Sequence, residues 1–363
     1  MKKIIITAGG TGGHIFPALA IGQELILKGV ELHFIGSRGG MEERLCHQEK
    51  IAFTGLDVQK LYRKFTFSHL RFPIRLLKSI WEAARIIRSF HPDLMLATGG
   101  FASGPAGLAA ILNRIPLFIQ EQNSYPGITN RFLGKYAEKI FLGNPGAASF
   151  FSTSKVVHSG NPIRSEIITE KRSILPAEID LKEGSFKLLI LGGSQGSRSL
   201  NSALIPIIDD LLKTGIELLW QTGRNNYDEV TSKFDRKKGL WIFDFFREMG
   251  KLYNSVDAVI ARAGAITLAE LETMKIPAIL VPLPTAAGNH QYYNALELVK
   301  KKCALLLEQK NLTPVSLKQS IMKLREYHAE FFHNFKSSPH ADATTSISRL
   351  IFRRIENRGL YAG

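Results

Sequence analysis

An apolar segment that leads directly into a glycine-rich loop occurs twice in this sequence, and it limits the fold more than any other feature. Residues 3–7 lead into residues 9–13, and residues 187–191 lead into residues 192–196. Apolar residues at helical spacing follow both loops, over 17–27 and 199–212. A buried strand, a tight glycine turn and a helix in this order form the repeating unit of Rossmann-like domains, so the sequence predicts two such domains.

Further short apolar runs alternate with helical segments, which is the pattern of parallel sheets flanked by helices. These runs are 31–36, 93–98, 117–120, 139–142, 217–221, 257–261 and 278–281. Residues 159–186 form the least regular stretch between the two halves, and we expect the chain to cross between domains there. We therefore predict an α/β fold with an N-terminal domain over 1–160, a C-terminal domain over 161–340, and a last helix over 341–357 that packs on the first domain.

The charge balance favours an anionic partner. The chain has 47 Lys and Arg against 32 Asp and Glu, a formal net charge of +15, which suits nucleic acid, lipid headgroups or a phosphorylated substrate. Its two cysteines, Cys46 and Cys303, have neither disulfide-framework nor zinc-site spacing, so we expect a reducing compartment and no metal. The apolar start is too short for a signal peptide, and we expect no export.

The two glycine loops are candidates for binding phosphate groups. A loop at the carboxyl end of a strand brings main-chain N–H groups and the positive end of a helix dipole close to a ligand, so two such loops indicate a diphosphate. The alternative is that these glycines only permit tight turns. Neither loop continues into Gly-Lys-Ser/Thr, and the first reads GGTGGH, so ATP hydrolysis and simple NAD chemistry are disfavoured.

Several polar residues stand where strands are predicted to end. His14 follows the first loop, where it would act as a general base or only brace the loop. Glu270 lies in the second turn of a helix predicted over 265–274, where it would accept hydrogen bonds from two ribose hydroxyls or simply be solvated. Residues 98–105 and 120–123 end two further strands and should open onto the same site.

A basic segment rich in aromatic residues spans 60–88, with eight basic residues and one acid. Its second half predicts a helix with an apolar stripe of Ile74, Leu77, Trp81 and Ala84 beside a basic face. Contact with an anionic membrane, packing on the sheet and nucleic-acid binding all fit this pattern. The residues expected to contact a membrane are Phe67, Arg71, Ile74, Arg75, Leu77, Lys78 and Trp81.

Taken together and in this order, the motifs closely resemble the MurG family, bacterial N-acetylglucosaminyltransferases that convert lipid I to lipid II in peptidoglycan synthesis. The resemblance runs nearly end to end. It rests on residues 9–14, Gly99-Gly100 with Ser103-Gly104-Pro105, Glu121-Gln122-Asn123, Gly160-Asn161-Pro162-Ile163-Arg164, residues 192–196, residues 262–270, and His290-Gln291 with Asn294-Ala295.

The resemblance implies a GT-B fold, in which two Rossmann-like domains with parallel sheets face a cleft. It also implies UDP-N-acetylglucosamine (UDP-GlcNAc) held mainly by the C-terminal half and lipid I entering across the N-terminal half. His14 matches the proposed base of the family. The positions that match its donor contacts are Thr11, Gly12, Gly13, Asn123, Arg164, Ser194, Phe246, Ala265, Ile266, Thr267, Leu268, Ala269, Glu270 and Gln291.

The implied reaction is a single displacement in which the 4-hydroxyl of the acceptor loses its proton to His14 and UDP leaves with inversion. No cofactor and no metal are implied, no nucleic acid is expected, and an anionic membrane surface at the cytoplasmic face is the expected location. Two positions depart from the family pattern: Phe246 stands where isoleucine is commoner, and Gln120 replaces a usual histidine. Another GT-B enzyme, such as a UDP-sugar 2-epimerase or a glycolipid synthase, is the nearest alternative.

Overall fold

The computed structural model describes residues 1–58, 72–169, 175–176, 178–193, 196–234, 237–246 and 248–357. The chain forms two compact units. One contains Met1–Ile163 with Pro339–Gly363, and the other contains Arg164–Ser338. The boundary therefore lies three residues beyond the position expected from the sequence, directly before Arg164.

The first unit is built on a parallel sheet of seven strands in the order β3-β2-β1-β4-β5-β6-β7. The strands are β1 Lys3–Ala8, β2 Glu31–Ser37, β3 Ala52–Leu56, β4 Leu94–Gly99, β5 Leu117–Glu121, β6 Lys139–Leu142 and β7 Val156–His158. The helices among them are α1 Gly12–Leu27, α2 Met41–Gln48, α3 Phe72–Phe90, α4 Ser103–Leu112 and α5 Ile128–Gly134. Ile4, Ile5 and Ile6 are all fully buried, because helices cover both faces of the central strand.

The second unit repeats this plan with a parallel sheet of six strands in the order β10-β9-β8-β11-β12-β13. The strands are β8 Phe186–Leu191, β9 Ile216–Gln221, β10 Leu240–Phe243, β11 Ala258–Ala261, β12 Ala278–Leu280 and β13 Ala304–Leu306. The helices are α6 Ser165–Thr169, α7 Arg198–Leu204, α8 Ile208–Lys213, α9 Tyr227–Thr231, α10 Met249–Asn254, α11 Ala265–Met274, α12 His290–Lys300, α13 Pro314–Glu326 and α14 His328–His333. The prediction of two α/β domains with parallel sheets is confirmed.

The prediction of one continuous helix over 199–212 is wrong. The chain forms α7, a 3₁₀ turn at Ile205–Ile207, and then α8. Pro206 lies in that turn. Proline has no N–H to donate and its ring clashes with the preceding turn, so an α-helix cannot run through it undisturbed.

The last helix, α15 Ala343–Glu356, lies in the first unit, although the chain passes through the whole second unit, Arg164–Ser338, shortly before it. Ile347, Ile351 and Ile355 recur every four residues and are buried in the same core cluster as Ile15 and Leu25 of α1. Burial of this isoleucine stripe fixes the end of the chain on the first unit.

In each sheet the strand order reverses direction at one place, and ligands of open α/β sheets bind beyond the carboxyl ends of the strands at such a point. In the first unit this point lies between β1 and β4. In the second it lies between β8 and β11. Both glycine loops identified from the sequence follow the first strand of these pairs.

Candidate active site

The first glycine loop ends where α1 begins, at Gly12. Thr11 precedes the helix in an extended conformation, its side chain does not cap the helix, and no acidic residue lies in the first turn. The first turn of α1 therefore supplies no carboxylate to the positive end of its helix dipole. Gly100, at the end of β4, has φ +89°, and a Cβ there would lie 1.8 Å from the carbonyl oxygen of Gly9. Only glycine at this position allows the loop after β4 to approach the first glycine loop so closely.

His14 lies in the first turn of α1 and is partly exposed. Its Nδ1 is 3.1 Å from the carbonyl oxygen of Thr98 and 2.8 Å from Oε1 of Gln122. Both partners accept hydrogen bonds, so Nδ1 carries the proton and Nε2 keeps its lone pair. Nε2 has no partner among the described residues. This is the protonation pattern that a general base requires, and the same bond to the Thr98 carbonyl also braces the loop.

The loop after β5 is organised by the buried carboxylate of Glu121. This carboxylate accepts hydrogen bonds from the main chain and the side chain of Asn123, from the main chain of Gly127 and from the side chain of Asn130. Asn123, a predicted donor contact, is thus held in a defined orientation. Oδ1 of Asn130 is buried without a hydrogen-bond partner among the described residues. The sequence offered no signal for Asn130, because it lies nine residues beyond the end of β5.

In the second unit α11 starts directly after a short turn at the end of β11. Gly264 caps the helix without a side chain, and the first helical bond runs from Leu268 N–H to the Gly264 carbonyl. The N–H groups of Ala265, Ile266 and Thr267 therefore point out of the helix end and can bind an anion. The side chains of Leu268 and Ala269 are buried, at 5% and 1% exposed, so these two predicted donor contacts lie beneath the surface.

Glu270 is buried, with 5% of its surface exposed, so it is not a solvated surface residue. Its carboxylate accepts a hydrogen bond from Tyr253 at 3.0 Å and lies 3.6 Å from the guanidinium of Arg164. Burial raises the pKa of Glu270, and the charge of Arg164 with the bond from Tyr253 opposes that shift only in part. Burial next to this carboxylate also raises the pKa of Tyr253. The fold thus brings together two predicted residues, Arg164 and Glu270, and adds Tyr253, which the sequence did not reveal.

Two further predicted donor contacts have structural partners. The side chain of Phe246 packs in the core against Phe243, and its main-chain N–H donates to Gln221. Oε1 of Gln291 accepts from the main chain of Leu283, which leaves its Nε2 without a partner among the described residues. Ser194 lies outside the described residues.

Arg262 ties the second glycine loop to the sheet and was not predicted as a site residue by itself. Its guanidinium donates to the hydroxyls of Ser197 and Ser199, to the side chain of Gln309 and to the carbonyls of Val281 and Pro282. All five acceptors are neutral, so the positive charge beside this loop is not cancelled by them. Burial lowers the pKa of Arg262, although a guanidinium stays charged at neutral pH.

The glycines of this second loop also satisfy strict packing demands. A Cβ on Gly192 would lie 2.5 Å from the main-chain nitrogen of Ser197. Gly196 has φ +77°, and its Cβ would lie 2.3 Å from the carbonyl oxygen of Thr222. The tight-turn explanation therefore holds at these two positions.

The predicted apolar stripe on α3 faces away from the core. Ile74, Leu77 and Trp81 are 70%, 66% and 58% exposed. The alternative in which these three residues pack on the sheet is therefore wrong. Ser79, Ala83 and Ile87 form the buried face of α3 instead. Ala84, assigned to the same stripe, instead packs partly buried against the core. The four-residue spacing of the buried face is offset by about half a turn from the exposed one.

Basic residues accompany the exposed stripe. Lys78 is exposed and pairs with Glu82 at 3.9 Å, and Arg75 is partly exposed. Two other residues expected at a membrane, Phe67 and Arg71, lie outside the described residues. No helix in the described ranges is long and apolar enough to span a bilayer. The same ranges contain no group of His, Cys, Asp and Glu suited to hold a metal ion.

Two family models match the chain. The glycosyltransferase family 28 N-terminal domain matches residues 4–142, and the glycosyltransferase family 28 C-terminal domain matches residues 187–349. A UDP-N-acetylglucosamine–N-acetylmuramyl-(pentapeptide) pyrophosphoryl-undecaprenol N-acetylglucosamine transferase of Coxiella burnetii is 36% identical over 319 residues, which cover 87% of this chain and 88% of the relative. The enzyme of the same name from Bacillus pumilus is 36% identical over 316 residues, covering 86% and 87%.

Solved structures agree. The crystal structure of Acinetobacter baumannii MurG matches with a TM-score of 0.77 at 30% identity, over 97% of this chain and all of that one. A UDP-GlcNAc 2-epimerase from Neisseria meningitidis, at 16% identity and a TM-score of 0.67 over 97% of this chain and 100% of that one, shares the fold only. The chain has the two-domain GT-B fold and belongs to glycosyltransferase family 28 and, within it, to the MurG family.

Proposed function

We propose that the protein transfers N-acetylglucosamine from UDP-GlcNAc to the 4-hydroxyl of the N-acetylmuramyl unit of lipid I, giving lipid II for peptidoglycan synthesis. The observation that carries this proposal is the near full-length similarity to enzymes whose names state that donor and that acceptor. In this proposal, His14 is the general base for the acceptor hydroxyl, and the groups around Glu270 bind the sugar-nucleotide donor.

In the proposed reaction His14 is the base. Nε2 takes the proton of the acceptor hydroxyl as the oxygen attacks the anomeric carbon. The bond from this carbon to the β-phosphate oxygen breaks on the opposite side, its electron pair leaves with UDP, and the configuration inverts. The neutral partners of Nδ1 hold the imidazole in the required tautomer during this step.

The second unit is proposed to bind the donor. Glu270, once ionised, accepts hydrogen bonds from the two ribose hydroxyls of the nucleotide. The N–H groups at the start of α11 and the charge of Arg164 stabilise the diphosphate as negative charge develops on it. The remaining contacts proposed for the donor are Thr11, Gly12, Gly13, Asn123, Ser194, Phe246, Gln291 and main-chain atoms of 265–269.

The exposed face of α3 is proposed to contact an anionic membrane surface at the cytoplasmic side, where lipid I would be reached. Each basic residue near such a surface contributes roughly 1 kcal/mol, and exposed apolar side chains such as Trp81 add burial. The outward direction of Ile74, Leu77 and Trp81 supports this role. No nucleic-acid partner is proposed.

The direct test is incubation of the full chain with UDP-GlcNAc and a soluble lipid I analogue. We expect UDP and a lipid-linked disaccharide in equal amounts, and the His14→Gln variant should form both about 10²- to 10⁴-fold more slowly. Formation of UDP without the disaccharide, or of an epimerised sugar nucleotide in the absence of acceptor, would contradict the proposal.

A further inference from the structure

The Nδ1 side of His14 is attached to a chain of buried amides. Gln122 and Gln120 are 1% and 0% exposed, and Asn161 is 3% exposed. Nε2 of Gln122 donates to the side-chain oxygen of Gln120, and Nε2 of Gln120 donates to Oδ1 of Asn161 at 3.1 Å. Starting from His14, every hydrogen bond of the chain therefore points the same way.

Two main-chain carbonyls fix this direction. Nε2 of Gln122 donates to the carbonyl oxygen of Thr98 at 2.8 Å, and Nδ2 of Asn161 donates to the carbonyl oxygen of Gln122 at 3.1 Å. If all three amides were turned over, the oxygen of Gln122 would face Thr98 O and the oxygen of Asn161 would face Gln122 O. Each contact would then place two acceptors together, which a buried site does not tolerate.

Because the direction is fixed, Oε1 of Gln122 always faces His14. This oxygen can only accept, so Nδ1 must carry a hydrogen atom and Nε2 is the free base. We propose that Gln122, supported by Gln120 and Asn161, is a positioning residue that sets the tautomer of His14 together with the Thr98 carbonyl, the more distant acceptor on Nδ1. This inference rests on the proposed function only for its effect on catalysis, since the tautomer itself is a property of the free protein.

The same chain determines where the proton does not go. Carboxamides do not titrate, and with Gln120 in place of the family's histidine the chain holds no imidazole between His14 and Asn161. The proton that Nε2 accepts therefore returns to solvent or product from Nε2 and is not passed inward. Among the described residues, the groups that hold Nδ1 of His14 are neutral, namely the Thr98 carbonyl and the Gln122 amide.

Nitrogen-15 NMR of histidine side chains in the full-length protein tests the tautomer directly. The chain has 10 histidines, so the His14 signal is identified by its loss in His14→Gln. We expect a protonated Nδ1 and an unprotonated Nε2 in the neutral ring. The opposite tautomer in the unmodified protein would overturn the proposal without need of any variant.

Variants test the cause. Gln122→Met removes the nearer of the two acceptors that face Nδ1 and leaves only the Thr98 carbonyl at 3.1 Å. It should therefore raise the population of the other tautomer and lower kcat about 10- to 100-fold, with KM for UDP-GlcNAc changed less than about twofold. Gln122→Glu should return the Nδ1–H tautomer and move the acidic limb of the pH profile of kcat/KM upward by about one unit, because a carboxylate favours the imidazolium. An unchanged tautomer in Gln122→Met would refute the assignment.

Ser103→Ala is the matched control. The Ser103 hydroxyl is buried in the same loops and donates to the carbonyls of Thr7 and Gly99, but it does not touch the imidazole. Ser103→Ala should lower the stability of the protein and leave the His14 tautomer and the pH profile unchanged. A tautomer change in this variant would mean that any disturbance of these loops alters His14, and it would refute the proposal. If the Nδ1–H tautomer is found and no sugar is transferred to the lipid I analogue, the proposed function fails while the positioning role stands.

Discussion

Replacing Glu270 by glutamine should weaken donor binding and strengthen folding at the same time. Glutamine keeps one oxygen to accept from Tyr253 but turns the other carboxylate oxygen into a donor. One ribose hydroxyl then loses a charged acceptor, and a hydrogen bond to a charged group contributes about 1.5–3 kcal/mol. At 1.4 kcal/mol per tenfold, the Kd for UDP-GlcNAc should rise about 10- to 150-fold.

The effect on folding has the opposite sign. Because burial raises the pKa of Glu270, the folded protein holds this proton more tightly than the unfolded chain does. The ionised carboxylate therefore costs stability, and this cost appears as pH rises from the unfolded pKa through the raised folded value. Glu270→Gln carries no such cost, so its advantage in Tm over the unmodified chain should be larger at pH 8 than at pH 4.

Glu272 provides a matched control on the same helix. It is also buried, at 8% exposed, but its carboxylate pairs with Lys301 at 2.6 Å and lies two residues further along α11. Glu272→Gln should leave the Kd for UDP-GlcNAc unchanged and lower stability by at most about 1 kcal/mol. Titration calorimetry and thermal unfolding at both pH values measure the two effects. A Kd change below threefold in Glu270→Gln would refute the ribose assignment, and a lower Tm at pH 8 would refute the argument from burial.

Three further predictions follow from local geometry. Gly99→Ala should lower kcat by at least about 10²-fold, because Gly99 has φ +109° and its Cβ would lie 2.8 Å from Nδ1 of His14; an active variant would show that the loop relaxes freely. Lys275→Gly should raise the free energy of unfolding by about 1 kcal/mol in urea titrations, since Lys275 ends α11 at φ +55°, and a loss would mean that its side chain makes a stabilising contact. Leu77→Asp combined with Trp81→Ala should weaken binding to anionic vesicles at least tenfold in sedimentation assays, with Tm and activity on a soluble acceptor unchanged; a large fall in Tm would indicate packing within the protein.

The central part of each sheet was predictable because its strands are buried on both faces. Continuous apolar runs such as residues 3–7 and 187–191 have no other stable place in a domain of this size. The four strands that the sequence did not reveal, β3, β7, β10 and β13, are the four edges of the two sheets. Edge strands are short and partly exposed, so their sequences lack the apolar run that identifies a buried strand.

Some residues of the candidate site could be located from the sequence, and others could not. Sequence motifs located His14 and Glu270, because both stand at a fixed distance from a glycine turn. They did not locate Tyr253, which meets Glu270 from another helix, or the inner partners of His14. Gln122 was part of a recognised motif, but its hydrogen bond to a histidine 108 residues away is a product of the parallel β4-β5 pairing.

Periodicity, glycine turns and apolar runs are local properties. By themselves they determined that this chain forms two α/β domains, and they identified His14 and Glu270 as polar residues that follow glycine turns. The tertiary structure alone decided which tautomer His14 adopts, that Glu270 is buried beside Arg164, and that the stripe on α3 faces outward. These features depend on which groups meet across the fold and on how far each is removed from water, and neither quantity is encoded in any short segment of sequence.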